Sequence, residues 1–192
     1  QVLFEHPLDK TEARNFIDWA NQHFPQVSIN LYSGKDWMTD HLDQWSQEEA
    51  RITGEKPLIL PLLDPLLDAT KLLHKLLLIG EPEEIQALYR TISADDFPST
   101  AFYLSKANYL EVTAKHVSKE DALVELANYY HLSLEEVLTM GDNFNDLPML
   151  KKAGIGVAMG NAPQEVKEGA AVVTKTNNEN GAGQAVETYA LI

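Results

Sequence analysis

From residue 114 onward the sequence alternates short apolar runs with segments of helical spacing, and few folds accommodate that alternation. The strand-like runs fall at residues 137–140, 156–158 and 171–174, with helices starting near Asp146, Pro163 and Ala182. Strands joined through helices lie parallel, so this part is expected to form a partial Rossmann-like α/β layer whose strand C-termini open onto a ligand crevice. Ser118 can cap a helix whose buried face is Leu123, Leu126, Ala127 and Tyr130, and Ser133 with Glu136 spells a second capping box.

Residues 1–113 follow another pattern and read as a separate α+β unit. Residues 2–4 suit a strand. Asp9 and Glu12 open a helix in which Ala13, Phe16, Ile17, Ala20 and Phe24 share a face until Pro25 ends it. Residues 27–32 and 37–39 read as an antiparallel pair turning at Ser33-Gly34, followed by a polar helix over 42–52. Three prolines make 54–68 an irregular connection, 75–79 is β-like, and Pro82 opens a helix carrying Ile85, Leu88, Tyr89 and Ile92. Residues 100–104 and 109–113 then form a hairpin. Trp19, Trp37 and Trp45 are expected in the packing of this unit.

Charge narrows the function classes. Fifteen basic residues against 29 acidic ones leave a net charge of −14, which repels phosphate backbones and argues against a nucleic-acid partner. No apolar stretch reaches the length of a membrane span. Without cysteine there is no thiolate nucleophile or zinc-thiolate site, which fits a reducing, cytoplasmic setting. The six histidines lack ligand spacing and are assigned no metal. A phosphorylated substrate would therefore need a local cation, a lysine and backbone N–H groups to draw it in.

The chemistry concentrates in Gly141-Asp142-Asn143-Phe144-Asn145-Asp146, directly after an apolar strand and before a helix. Asp142 would project into the crevice as a hard oxygen ligand, and Mg2+ needs only one or two carboxylates from a protein. Asn145, near the helix start, can cap the helix or turn toward an anion. Turn formation and capping are the alternative roles for Asp142, Asn145 and Asp146.

Around this motif the chain resembles the Cof-type subgroup of haloacid dehalogenase-like (HAD-like) hydrolases. The resemblance runs through Gly141 to Asp146, Met149-Leu150, Ala153-Gly154, Gly156 to Ala162, Val166-Lys167, Ala170, Val173-Thr174, Asn177 and Gly181-Ala182-Gly183. It implies an α+β cap over residues 1–113, resembling the family in pattern only, and the second half of the catalytic core over 114–192. It implies further that Asp142 ligates Mg2+, that Lys119 binds the phosphoryl group, that Asn145 contacts or shapes that site, and that Asp146 orients Lys119. A lysine in the first turn of a helix agrees with this placement, since the macrodipole disfavours a cation there unless an anion lies close. Lys115 is the second candidate, and a solvated surface lysine partly offset by Glu120 or Asp121 is the alternative for Lys119. Asn161 and Asn177 serve either as supporting residues around the site or as ordinary loop asparagines.

The chain departs from the family at one point. Members carry Asp-x-Asp after the first core strand, its first aspartate the nucleophile and its second the general acid and base, and no Asp-x-Asp occurs in these 192 residues. The Ser or Thr motif that precedes the cap is also unrecognisable. An upstream segment is expected to be missing, leaving unpaired edges and exposed apolar faces that need that segment or a homo-oligomer. The full-length protein is expected to be a magnesium-dependent phosphatase of small, sugar-phosphate-like metabolites, working through an aspartyl-phosphate, with this chain alone inactive. The alternative is a catalytically inactive binding or regulatory module that keeps the cation and phosphate cradle.

Overall fold

In a computed structural model, residues 2–191 are described, and the chain divides into two compact units, Gln1–Val117 and Ser118–Ile192. The sequence pattern changes at Thr113. The division falls later because the last strand of the first unit runs to Ala114 and a turn follows it, Val117 N–H donating to Ala114 O at 3.1 Å.

In the first unit, helix α1 (Lys10–His23) leads into the hairpin β1 (Ser28–Ser33) and β2 (Asp36–Thr39), helix α2 (Gln44–Thr53), strand β3 (Leu58–Ile59) and helix α3 (Leu63–Leu67). Strand β4 (Lys75–Ile79), helix α4 (Pro82–Thr91) and the hairpin β5 (Thr100–Lys106) and β6 (Tyr109–Ala114) complete it. The sheet runs β3-β2-β1-β4-β6-β5, antiparallel except between β2 and β3. Strand periodicity sorts its two faces. Ile29, Leu31, Met38, Leu76, Leu78, Leu110 and Val112 point one way and join Phe16 of α1 and Ile85 and Leu88 of α4 in the main core. Leu77, Ile79 and Tyr109 point the other way and pack with Tyr32 and with Trp45 of α2.

Polar groups are paired on that second face. Trp37 Nε1–H donates to Asn30 Oδ1 at 2.8 Å, and the Tyr109 hydroxyl donates to the buried Glu49 at 2.6 Å. Burial first, and then this carboxylate, push the Tyr109 phenol well above its ordinary pKa. All three tryptophans take packing roles here: Trp37 is buried, and Trp19 and Trp45 pack partly buried against the two cores.

Four expectations for local structure need correction. Residues 2–4 form no strand. Val2, Leu3 and Phe4 are exposed, and the first buried side chain among the described residues is that of Leu8, whose N–H donates to Leu73 O at 2.7 Å. The 54–68 connection is more regular than its prolines suggest: Leu58–Ile59 pairs with β2 between Pro57 and Pro61, and Pro65 sits in the first turn of α3, where no N–H is required. Asp9 does accept from Glu12 N–H at 2.8 Å, but the Glu12 carboxylate turns away to accept from Ser99 N–H and Thr100 Oγ1–H, tying α1 to the start of β5.

The second unit comprises helix α5 (Lys119–Tyr129), strand β7 (Leu138–Gly141), helix α6 (Leu147–Lys152), strand β8 (Ile155–Ala158), helix α7 (Gln164–Gly169), strand β9 (Val172–Val173) and helix α8 (Gly181–Tyr189). Its strands form the parallel sheet β7-β8-β9, in the α/β arrangement that the alternation requires. The Ser133 and Glu136 box caps a single 3-10 turn over Leu134–Glu136. The core is small, built on Leu150, Ala158, Ala162 and Val166. Here lies the fourth correction. Of the expected buried face of α5 only Ala127 is buried, while Leu123 is half-buried and Leu126 and Tyr130 are 44% and 58% exposed.

Replacing Tyr109 by Phe removes the donor to Glu49 and should lower unfolding free energy by about 1–3 kcal/mol at pH 7, read from urea titrations. A raised folded-state pKa stabilises while the phenol is neutral in both states and loses that contribution as pH rises. The difference between parent and variant should therefore hold below about pH 10 and narrow above it.

Candidate phosphate and cation site

Where β7 ends, Gly141 brings the chain into a tight turn around one carboxylate. Asp146 is 3% exposed, and its Oδ2 accepts from the N–H groups of Asp142 at 2.8 Å and Asn143 at 2.9 Å. A Cβ at position 141 would overlap the Asp146 side chain, so glycine is what allows the carboxylate to fold back under the strand end. Asn143 caps the 3-10 turn Phe144–Asp146, its Oδ1 accepting from Phe144 N–H at 2.8 Å, and α6 continues from that turn with Pro148 in its first turn.

Lys119 is the first residue of α5, whose N-cap Ser118 accepts from Asp121 N–H at 3.0 Å. Its ammonium donates to Asp146 Oδ1 in a short ion pair, with about half of the lysine side chain still exposed. The anion beside this N-terminal cation is thus Asp146. Glu120 and Asp121 are engaged elsewhere: Glu120 pairs with Lys152 at 3.2 Å and Asp121 accepts from Ser118 Oγ–H at 2.7 Å. Lys115 belongs to the other unit, where its N–H donates to Ser99 O at 2.7 Å.

Asp142 and Asp146 therefore face different ways. Asp146 is buried and saturated by donors. Asp142 is exposed, and hydrogen bonding among the described residues engages only its Oδ2, which accepts from Asn161 Nδ2–H at 2.9 Å. Asn145 Oδ1 is buried without a hydrogen-bond partner among the described residues, an acceptor with its capacity unused. These are hard oxygen donors, suited to a divalent cation such as Mg2+ that completes its shell with water and substrate oxygens. No group of three His, Cys, Asp or Glu able to hold a metal occurs among the described residues, so the chain supplies only part of such a shell.

The geometry joins the two sequence candidates through a third. Lys119 donates to one oxygen of the Asp146 carboxylate and the backbone N–H of Asp142 to the other, so the two candidates are held by one side chain. Two contributions are not legible in residue types. The backbone donors at 142 and 143 depend on turn geometry, and the Asn161 contact depends on two strands lying side by side.

A family profile described as haloacid dehalogenase-like hydrolase matches residues 1–186. A Haemophilus influenzae protein that carries a phosphatase name is 41% identical over 164 residues, covering 85% of this chain and 60% of that protein. The Bacillus subtilis 5-amino-6-(5-phospho-D-ribitylamino)uracil phosphatase YwtE is 29% identical over 187 residues, 97% of this chain and 64% of that one. A crystal structure of a haloacid dehalogenase-like hydrolase from Bacteroides thetaiotaomicron superposes with a TM-score of 0.83 at 29% identity, over 98% of this chain and 70% of that one. The chain thus spans less than two thirds of the length of these two relatives.

Asp146→Ala strips two backbone N–H groups and an ammonium of their acceptor and should lower unfolding free energy by about 1–3 kcal/mol in urea titrations. Lys119→Ala leaves the two backbone donors of the buried carboxylate in place and should cost less than Asp146→Ala in the same experiment.

Proposed function

The chain belongs to the haloacid dehalogenase-like hydrolase family, and from that premise we propose that it forms the phosphate-holding part of a magnesium-dependent phosphatase for small phosphorylated metabolites. The observation that carries this reading is the shared carboxylate of Asp146, which holds the Lys119 ammonium and the backbone of Asp142 at one strand end. A phosphoryl group received there would meet positive charge from Lys119 while Asp142 faces the cation. Asp142 would hold Mg2+, with Asn145 Oδ1 as a nearby acceptor, and the bound ion would supply Lewis-acid polarisation of a phosphoryl oxygen. Lys119 would orient and neutralise the transferring group, and Asp146 would hold Lys119 in place.

The attacking aspartate would come from outside these 192 residues, forming an aspartyl-phosphate that water then hydrolyses. Two features support that division. Strand β7, which ends at the site, is an edge strand of its sheet among the described residues, and Leu126 and Tyr130 on the apolar face of α5 are exposed. A strand of an upstream segment would satisfy both, and a second copy of the chain is the other way to cover that face. The first unit would act as the cap that sets specificity. A relative named for a phosphorylated ribitylamino-uracil supports a metabolite of that size, with sugar phosphates in the same class. We place the protein in the cytoplasm, which a cysteine-free sequence suits. No described helix is long and apolar enough to cross a membrane.

The absence of Asp-x-Asp favours a second reading for the chain by itself, a binding module that keeps the cradle without turnover. Hydrolysis of p-nitrophenyl phosphate in Mg2+ separates the two. The chain joined to its native upstream sequence should turn over, the 192-residue chain should not, and Asp142→Asn in the longer protein should lower kcat by about 10²-fold or more. Failure of the longer protein on a panel of phosphate esters would leave only the binding module.

A further inference from the structure

We infer that Asn161 is a positioning residue for Asp142, holding its carboxylate in one orientation so that a single oxygen is left free for a cation; this rests on the proposed metal role of Asp142. The three parallel strands end side by side, and each is followed by one member of a hydrogen-bonded relay. Asp142 follows β7, Asn161 lies in the loop after β8, and Asn177 lies in the loop after β9. Asn161 Nδ2–H donates to Asp142 Oδ2 at 2.9 Å, and Asn177 N–H donates to Asn161 Oδ1 at 3.0 Å.

The second bond decides the direction of the first. A side-chain amide has a donor end and an acceptor end, and reversing it would set a carbonyl oxygen against the Asp142 carboxylate. A main-chain N–H can only donate, so Asn177 fixes Oδ1 toward itself and the amino group toward Asp142. The relay is anchored by backbone. Met159 N–H donates to Gly141 O at 2.9 Å and Gly160 N–H to Lys175 O at 3.0 Å, which pins the loop carrying Asn161 between the other two strand ends.

The loop carrying Asn177 is closed independently. Thr174 Oγ1–H donates to Gly181 O at 2.8 Å, Thr176 Oγ1–H donates to Glu179 at 2.6 Å, and a Cβ at position 181 would overlap the carbonyl of Lys175. Asp142 and Asn161 are both exposed, so neither is needed to fill a core. An exposed aspartate with no such partner samples several rotamers, and each that points away from the cation subtracts from affinity. Outer partners of metal-ligating groups typically alter affinity by about 10–100-fold.

The test uses Mn2+ as a spin probe for the divalent site, with electron paramagnetic resonance on the 192-residue chain, and needs no turnover. Asn161→Ala should raise the Mn2+ Kd by about 10-fold or more while leaving the urea midpoint near that of the parent, and Asp142→Asn should raise it further. Asn177→Pro removes the orienting N–H at the first position of a 3-10 turn, where proline is tolerated, and should also weaken Mn2+ binding. An Asn161→Ala variant with the parent Kd overturns the proposal.

A second readout does not depend on metal. In heteronuclear NMR spectra the side-chain amide resonance of Asn161 should move in Asp142→Ala, since its acceptor is gone, and an unmoved resonance also overturns the proposal. A parent chain that binds no Mn2+ while the amide resonance responds to Asp142→Ala overturns the metal role of Asp142 and retains the pairing. The two failures are thereby told apart.

Discussion

The second unit is organised around a buried carboxylate. Asp146 folds back under the end of β7 and satisfies two backbone N–H groups and the Lys119 ammonium at once. A buried anion is costly unless donors surround it, and here three do. Its presence places a cation at the start of α5 against the macrodipole, and it holds the turn that presents Asp142 outward. The ion pair and the turn are thus held by hydrogen bonds of the chain itself.

Packing differs between the two units, and the difference bears on what each can do. In the first, strands β1, β2, β4 and β6 bury one apolar face in a core shared with α1 and α4, and the other face keeps buried polar pairs such as Tyr109 with Glu49. In the second, the core is a handful of side chains, two of them alanines, and its precision comes from hydrogen bonds between loops at the strand ends. Such loops tolerate exposure to a ligand because their backbone groups are already paired with one another. The apolar face of α5 shows the same thinness: Leu126 and Tyr130 fall on the expected buried face at helical spacing, yet both are exposed.

Much of this architecture is legible in residue patterns because the forces involved are local. Alternation of strand and helix after Thr113 requires parallel strands, and the observed order β7-β8-β9 obeys it. Ser118, Pro82 and Asp9 mark helix starts through neighbouring N–H groups or a preset φ, which do not depend on distant chain. Glu12 shows where that logic stops: three residues after a capping aspartate it has the spacing of a capping box, but it reaches Ser99 and Thr100 across 87 and 88 residues. Residues 2–4 show the same limit, since an apolar run becomes a strand only when an edge is available to pair with it.

The sequence by itself pointed to a strand-end aspartate and to an asparagine and aspartate at the following turn, because strand ends and helix starts are written in spacing and capping residues, and its resemblance to the family added the lysine that opens a helix. Only the tertiary structure decided how they divide the work. Asp142 and Asp146 are four positions apart and chemically identical, yet Asp146 is buried under three donors while Asp142 is exposed with, among the described residues, a single oxygen engaged. That division depends on which strands end side by side and which loops they bring together, a long-range property that neither residue type nor local spacing encodes.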